Sequence, residues 1–325
     1  MTGGLEKSLQ YSDTVPLPSK AASLPENSVL VRVAYASLNP VDYKLPETAL
    51  LRVLGISKPG IPCGDFVGTV VSTTMPGLRP GDRVFGSNDP SKGGALAEYM
   101  VLSGRENVVP LSEGENISDA ATLGVAGLTA YQCLQPYVKE GSKVFINGGS
   151  GGVGIFSIQI AKKLGCIVTT TCSGPNVEFC KSLGADDVVD YRTVDVVEHL
   201  KRQGTQYDLL IDNVNTPSIY YSAHHYLKPE GRFITIAGSP DVASVISMLK
   251  MFCLPTWLGG GQRRAQFLLR KSDAEGLAKM AEWVQEGSVK AVVEKIYELD
   301  QAGEAFARMK SGRTRGKLVV KVAGE

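Results

Sequence analysis

The residues with the most chemical potential lie in Asn147-Gly148-Gly149-Ser150-Gly151-Gly152-Val153-Gly154. Glycines at 148, 151 and 154 permit a tight turn, let a diphosphate approach backbone N–H groups, and allow a helix to pack closely on a sheet. The stretch separates an apolar strand, Lys143-Val144-Phe145-Ile146, from a segment where Val153, Phe156, Ile160 and Leu164 recur at helical spacing. In that setting it predicts dinucleotide binding, with Gly148, Ser150, Gly151, Gly152 and Val153 against the cofactor. A cofactor lacking a 2′-phosphate is ordinarily met by an Asp or Glu about 20 residues on, at the end of the second strand. Here that end reads Thr171-Cys172-Ser173-Gly174, with no carboxylate before Glu178. A carboxylate there would repel the extra phosphate of NADPH. Its absence, with Ser173, Asn176, Lys181, Tyr191 and Arg192 close by in sequence, favours NADPH. Asn213 and Val214 follow a further strand at its carboxyl end, where ligands of doubly wound sheets bind.

Metal chemistry finds little support. The three histidines are His199, His224 and His225, and the six cysteines, Cys63, Cys133, Cys166, Cys172, Cys180 and Cys253, form no C-x-x-C pair. A structural zinc site needs four Cys or His ligands in paired short spacings, so no metal ligand is assigned. Free thiols in a reducing compartment fit a chain of this size better than disulfides. A net charge of +1 gives no uniform field for nucleic acid or anionic lipid. The first residues lack a basic start followed by an apolar run, and no apolar run approaches the ~18 residues of a membrane span. The expected location is cytoplasmic, with neither nucleic acid nor membrane as partner.

These residues need a scaffold of more than one core. At roughly 150 residues per domain, 325 residues make about two domains, and 43% hydrophobic with 21% charged residues is an ordinary globular composition. From Ser28 to about Leu111, short strand-like pieces (Val29 to Val33, Phe66 to Ser72, Arg83 to Phe85, Ala97 to Leu102) alternate with Gly and Pro turns, which predicts an antiparallel barrel or sandwich. Near Ile117 the texture changes. Ser118-Asp119 can cap a helix running towards Leu134, and strands and helices then alternate, predicting a parallel doubly wound sheet. Pro255 to Gly261 reads as a boundary loop. Beyond it lie a helix from Asp273 to Gln285, a strand from Ala291 to Leu299, a helix capped by Asp300, and a last strand from Lys317 to Val322. Periodicity leaves open whether these extend the parallel sheet or return to the first domain.

Several motifs occur together and in order: Asn39-Pro40-Val41-Asp42-Tyr43-Lys44, Gly64-Asp65-Phe66-Val67-Gly68, Gly81-Asp82-Arg83-Val84-Phe85-Gly86, Gly127-Leu128-Thr129-Ala130, the glycine turn, Leu183-Gly184-Ala185-Asp186 and Arg315-Gly316-Lys317. As a set they resemble the zinc-independent quinone oxidoreductase and enoyl reductase branch of the medium-chain dehydrogenase/reductase superfamily, in a form similar to fungal quinone-oxidoreductase-like proteins, over nearly the whole chain from about Pro16. The resemblance implies a GroES-like β-barrel catalytic domain over residues 1–116 and 262–325, a Rossmann NADPH-binding domain over 117–261, and an active site in the cleft between them. Zinc-dependent relatives place a Cys ligand where Asn39 stands and a Gly-His-Glu motif where this chain has Cys63-Gly64-Asp65, so zinc catalysis is not expected. Family members usually begin with an extra short strand ahead of the segment corresponding to Ser8 to Pro18. Its absence is expected to leave a barrel edge unpaired.

The activity implied is reduction of an activated C=C bond or a quinone by hydride transfer from NADPH, in a secondary-metabolite setting for some relatives. Hydride addition leaves negative charge on the carbonyl oxygen, which must then meet hydrogen-bond donors. Tyr43, Lys44 and Asn39 are the donors in the first motif. If that segment is extended, Tyr43 and Lys44 point to opposite faces, and Tyr43 is preferred. Thr129 lies in the segment that sits by the nicotinamide in the family, and Lys317 is a candidate to close over the cofactor. The His224-His225 pair is read as structural and the Arg263-Arg264 pair as a solvated corner. Apolar residues in Leu45 to Ser57 and Val242 to Leu258, among them Leu50, Leu51, Leu54, Ile246, Leu249, Met251, Phe252 and Trp257, hint at a small hydrophobic enone, enoyl or quinone substrate. The assembly is expected to be a monomer or homodimer. The alternative reading is an NADPH-binding sensor or partner protein with little turnover.

Overall fold

The computed structural model describes residues 4–48, 60–89, 92, 94–112, 114, 116–238 and 242–324. The chain divides into two compact units, one of Met1–Leu128, Lys271–Gly287 and Ala291–Glu325, the other of Thr129–Arg270 and Ser288–Lys290. Sequence texture placed the borders earlier, at 116/117 and 261/262.

In chain order the elements are α1 (Leu5–Ser8), β1 (Ser28–Ser37), α2 (Pro40–Glu47), β2 (Asp65–Thr73), β3 (Arg83–Ser87), β4 (Tyr99–Ser103) and β5 (Val108–Pro110). Then come α3 (Ile117–Ala120), a π-helical turn (Leu123–Gly127) and α4 (Leu128–Leu134). The alternating series follows as β6 (Lys143–Asn147), α5 (Gly152–Lys163), β7 (Ile167–Cys172), α6 (Val177–Ser182), β8 (Asp187–Asp190), α7 (Val196–Gln203), β9 (Tyr207–Asp212), α8 (Pro217–Tyr221) and β10 (Leu227–Thr235). The chain finishes with α9 (Val242–Cys253), β11 (Arg264–Phe267), α10 (Ala274–Gln285), β12 (Val293–Glu298), α11 (Ala302–Lys310) and β13 (Lys317–Lys321).

The first unit is built on a sheet in the order β12-β13-β1-β2-β3-β5, with β4 also on β1. Strand β1 serves three neighbours. Ser28 to Arg32 pair with Tyr99 to Ser103, Tyr35 to Ser37 pair with Val319 to Lys321, and register shifts against β2 at Leu30/Val31 and Val33/Tyr35 bend the strand between them. The question left open by periodicity is thereby answered: β12 and β13 return to the first unit. Val29, Val31, Val33, Phe66, Val84, Leu102, Phe306 and Val320 bury one continuous core within the bent sheet. At its start, α1 packs on α11, and the Leu5 N–H donates to Glu47 Oε1 at 2.7 Å.

The second unit is a parallel sheet in the order β11-β10-β9-β6-β7-β8. Counting from β6, strands two and three lie on one side and four to six on the other, so the order reverses between β6 and β9. This is the doubly wound Rossmann arrangement the sequence predicts, and it puts the carboxyl ends Asn147 and Asp212 beside each other. Helix α5 is buried along Gly154 to Ala161. Its Gln159 holds Lys290 by two bonds, Nε2 to the carbonyl at 2.9 Å and the backbone N–H to Oε1 at 2.8 Å.

Two local expectations differ. The helix expected from Ser118 to Leu134 is interrupted by the π-helical turn, within which Gly124 packs so closely that a Cβ there would lie 2.3 Å from Asp65 Oδ1 and 2.7 Å from Ser87 Cβ. Strand β11, four residues long, extends the parallel sheet just beyond the expected boundary loop.

Candidate functional site

At the point where the strand order reverses, a network of side chains fixes the glycine turn. Thr171 Oγ1 donates to Asn147 Oδ1 at 2.6 Å and accepts from the Gly148 N–H at 2.9 Å. Asn147 Nδ2 donates to Asp212 Oδ1 at 2.8 Å and to Thr216 Oγ1 at 3.0 Å. Asp212 also accepts from the N–H groups of Val214, Asn215 and Thr216 at 3.0, 3.1 and 2.7 Å. Gly148 has φ +86°, and a Cβ there would stand 2.9 Å from Val214. A Cβ on Gly154 would stand 2.2 Å from the Gly148 carbonyl, so this glycine lets α5 start against the turn. Sequence reasoning missed Asn147, Thr171 and Asp212. The signal was there in part, since polar residues at adjacent strand ends followed by Asn215-Thr216 mark a side-chain-supported turn.

The same end of the sheet holds polar groups suited to a ligand. Asn213 Nδ2 and Oδ1 are both buried and have no partner among the described residues, an expensive state for an amide unless a bound molecule meets it. Gly151 N-caps α5, so Gly152 and Val153 present their N–H groups in the first turn, where an anion is favoured. Asn176 Nδ2 donates to both Ser150 Oγ and Ser173 Oγ at 3.3 Å, which brings three of the expected residues together. Val214 and Tyr191 are largely exposed. Tyr191 is tied to the same corner through its N–H to the Cys172 carbonyl at 3.2 Å. A carboxylate is present after all, from the third strand: a Cβ on Gly174 would lie 2.7 Å from Asp190 Oδ2. Lys181 pairs with Glu178 at 2.9 Å on the surface.

In the first unit, Asn39 and Lys317 meet in a buried polar cluster. Asn39 caps α2, where its N–H donates to Asp42 Oδ2 at 2.7 Å, and its Nδ2 donates to Asp65 Oδ2, also at 2.7 Å. Lys317 Nζ donates to Asn39 Oδ1 at 2.5 Å and to the Leu38 carbonyl at 2.9 Å. Lys317 is 3% exposed. Its ammonium therefore lies inside the first unit, on the Asn39 amide and the Leu38 carbonyl. Burial pushes Lys317 down despite the attraction of Asp65 and Asp42. Burial, reinforced by Asp65, pushes Asp42 up to about 7, against the Asn39 N–H, Lys317 and Cys63. Burial and the two carboxylates push the Cys63 thiol up, and its backbone stands in the left-handed region at φ 65°. Asp65 Oδ1 faces Gly124 with no partner among the described residues.

The remaining expected donors are placed differently. Residues 40–47 are helical, so Tyr43 and Lys44 stand about 100° apart around α2, not on opposite faces of a strand. Tyr43 is half-buried beside the core, its ring 5.1 Å from Lys310 Nζ, which also bridges Glu6 and Glu47. Burial pushes its phenol up. Lys44 is half-buried, and its carbonyl accepts from Thr48 Oγ1 at 2.6 Å. Thr129 is buried at the second position of α4, in the other unit. Arg263 is no solvated corner, because it holds the Leu227 and His224 carbonyls at 2.9 and 3.1 Å. Of the apolar candidates, Met251 is buried while Ile246, Leu249, Phe252 and Trp257 are exposed. Leu50, Leu51 and Leu54 lie outside the described residues.

Comparison with known proteins accords with both units. Residues 25–113 match the alcohol dehydrogenase GroES-like domain family, and residues 183–320 match the zinc-binding dehydrogenase family. The trans-enoyl reductase pgmF of Aspergillus terreus is 39% identical, over 98% of this chain and 93% of its own length. The chloroplastic quinone-oxidoreductase QR1 of Triphysaria versicolor is 31% identical, over 98% of this chain and 99% of its own. The solved structure of the quinone oxidoreductase from Coxiella burnetii superposes with a TM-score of 0.80 at 30% identity, covering 95% of this chain and 93% of that one.

The zinc named in the second family's description does not fit the residues present. Where zinc-dependent members carry Cys and His-Glu ligands, this chain has the amide of Asn39, Gly64 and the carboxylate of Asp65, and a lysine ammonium already lies on the Asn39 oxygen. No group of three potential ligands occurs among the described residues. A GroES-like first unit, a Rossmann second unit with a nicotinamide-dinucleotide turn, and relatives matched over nearly their whole length place the chain in the medium-chain dehydrogenase/reductase superfamily, beside its quinone oxidoreductases and enoyl reductases.

Proposed function

We propose that the protein is an NADPH-dependent reductase of an activated C=C bond or a quinone that works without zinc. The observation that carries this reading is the Lys317–Asn39–Asp65 cluster, in which an amide held between an ammonium and a carboxylate stands at the positions where zinc relatives hold metal. The names of the relatives, enoyl reductase and quinone oxidoreductase, point to the same substrates.

The cofactor's nicotinamide supplies a hydride to the electron-poor carbon of the substrate. The residues proposed to hold the cofactor are Gly148, Ser150, Gly151, Gly152 and Val153 at the diphosphate, and Asn213 and Val214 at the nicotinamide half. Ser173, Asn176 and Tyr191 are assigned to the 2′-phosphate side. The negative charge that grows on the substrate oxygen needs donors already oriented, because reorganising them during the reaction would raise the barrier. Asn39 is fixed at both ends, its Nδ2 donating to Asp65 Oδ2 and the Ser37 carbonyl and its Oδ1 accepting from Lys317, so it positions the cluster, and Thr129 and Lys44 are the candidate donors. Tyr43 is the weakest, its ring being engaged by Lys310 and its phenol pushed up by burial.

The test is to mix purified protein with NADPH and a panel of enones, enoyl thioesters and quinones and follow nicotinamide absorbance. Substrate-dependent consumption in protein free of zinc by elemental analysis supports the reading. Saturable NADPH binding with no consumption across the panel would instead support a sensor or partner role, and consumption that requires about one zinc per chain would overturn the metal-free assignment.

A further inference from the structure

Two side chains at the carboxyl edge of the second sheet carry buried polar atoms without partners, and only Asn213 has been given a ligand. The other is Arg270. Its Nη1 is closed off from solvent, with no hydrogen-bond partner among the described residues, and the guanidinium forms no ion pair with them. A guanidinium cannot shed a proton to escape burial, so a desolvated N–H of this kind is expensive unless a ligand brings the acceptor. The neighbouring arginines are committed elsewhere. Arg263 holds the Leu227 and His224 carbonyls, and Arg232 lies over the Tyr137 ring, 5.0 Å from its centre. Asp273, the nearest acid in sequence, caps α10 by accepting from the Gly276 N–H at 2.9 Å. His224 Nδ1 is also unpartnered, but it precedes β10, at the amino end of the sheet.

Arg270 comes shortly after β11, and the intervening Leu268 N–H donates to the Thr235 carbonyl, at the carboxyl end of β10, at 3.0 Å. It therefore stands on the edge where doubly wound sheets bind ligands. The strand order β11-β10-β9-β6-β7-β8 sets the residues proposed for the cofactor in a line, with Ser173 past β7, the glycine turn past β6 and Asn213 past β9. A dinucleotide laid along that line has its nicotinamide half at β9, and β10 and β11 lie beyond it. At about 4.8 Å per strand, β11 is about 10 Å further on, which is the substrate's side of the nicotinamide.

We propose that Arg270 is a catalytic residue of the reduction, donating from Nη1 to the carbonyl oxygen of an α,β-unsaturated substrate and holding the negative charge that hydride transfer places there. This rests on the reductase reading. Hydride leaves the reduced nicotinamide for the carbon β to the carbonyl, the π pair of the C=C bond shifts through the α carbon to oxygen, and NADPH ends as NADP+. The enolate oxygen accepts from Nη1. A proton from water then adds at the α carbon and restores the carbonyl, so hydride and proton together saturate the bond while the guanidinium keeps its own protons. A fixed cation favours the enolate over the neutral carbonyl, so its hold strengthens in the transition state and raises kcat.

The test compares the native chain with Arg270→Ala, and with Arg270→Gln if the alanine variant folds poorly, on a neutral enone and an enoic acid at saturating NADPH. NADPH affinity is followed by fluorescence and stability by urea unfolding. For both substrates kcat is expected to fall about 100-fold, while KM and the NADPH Kd move less than about threefold. Stability should be unchanged, since Nη1 gives up no bond within the chain. Free guanidinium at millimolar concentration should restore part of kcat to Arg270→Ala, and urea, a neutral molecule of similar shape, should not. Native kcat in the variant overturns the role. So does a lost kcat that guanidinium fails to recover, which would make the arginine structural, or a loss seen only as a raised NADPH Kd, which would put it on the cofactor. A loss confined to KM for the enoic acid would make it a reader of substrate carboxylates and likewise overturn the catalytic role. A native chain that consumes no NADPH with either substrate refutes the reductase reading itself.

Discussion

Asn213 and Asp42 carry the clearest single-residue consequences. A buried amide with no partner costs the folded chain roughly 1–3 kcal/mol, and Asn213 has both polar atoms in that state. Replacing it with alanine is therefore expected to leave stability unchanged or raise it in urea unfolding, while the NADPH Kd rises about tenfold from the loss of hydrogen bonds to the ligand. A role in packing alone would lower stability and spare affinity. Asp42 predicts a pH effect. Its folded value of about 7 lies above its ordinary 3.8, so the folded state binds the proton more tightly than the unfolded one. Its contribution is fully present below about pH 4 and is lost as pH rises to about 7, by on the order of 2–4 kcal/mol. Urea midpoints measured over that window should fall for the native chain more steeply than for Asp42→Asn, which keeps an acceptor for the Asn39 N–H. Equal slopes would refute this. The legibility of single residues divides along the same line. The glycines, Asn39 and Asn213 were readable because a local motif or a strand end marks them. The charged partners Asp42, Asp65 and Lys317 come from three separate elements, and no spacing in one dimension shows that they converge.

At the scale of elements, the break between α3 and α4 has a tertiary cause that composition hides. Ala, Leu and Thr from Ile117 to Leu134 are compatible with one continuous helix, but the Asp65 carboxylate and Ser87 press on Gly124, and the turn widens there to a π-helical one. Gly124→Ala would place a methyl group against both, 2.3 and 2.7 Å from atoms that cannot easily move. The expected cost is about 1–3 kcal/mol in urea unfolding, with lowered turnover as Asp65 shifts and loosens its hold on Asn39. A variant as stable as the native chain would show that the turn adapts, and the proposed support of Asp65 would fail. The alternation of β and α from Lys143 to Ile236 was legible because apolar strands and amphipathic helices carry their own periods. Strand β11 was not, since four residues are too few to show a period and only pairing with β10 makes them a strand.

For the whole molecule, the length, near-neutral charge and change of texture already implied two units of different architecture. What they could not show is that both C-terminal strands β12 and β13 belong to the first unit, because that depends on the bend of β1, which frees an edge for β13. Cofactor choice is a property of this scale, since a ligand that binds only the folded chain stabilises it as a whole by mass action, about 2.7 kcal/mol at a hundred times Kd. The Ser150, Ser173 and Asn176 cluster favours a 2′-phosphate, whereas the Asp190 carboxylate beside Gly174 opposes one. The hydroxyls and amide are neutral donors around the end of β7, and Asp190 already accepts from the Arg192 N–H at 3.0 Å, which supports the proposed NADPH. At equal concentrations below saturation, NADPH should raise the melting temperature by several degrees more than NADH in a thermal shift assay. Ser173→Ala combined with Asn176→Ala should narrow that gap by lowering the NADPH shift alone, and Asp190→Ala should widen it. Equal shifts with the two cofactors, or a gap unmoved by the double variant, would overturn the assignment of the phosphate to this corner.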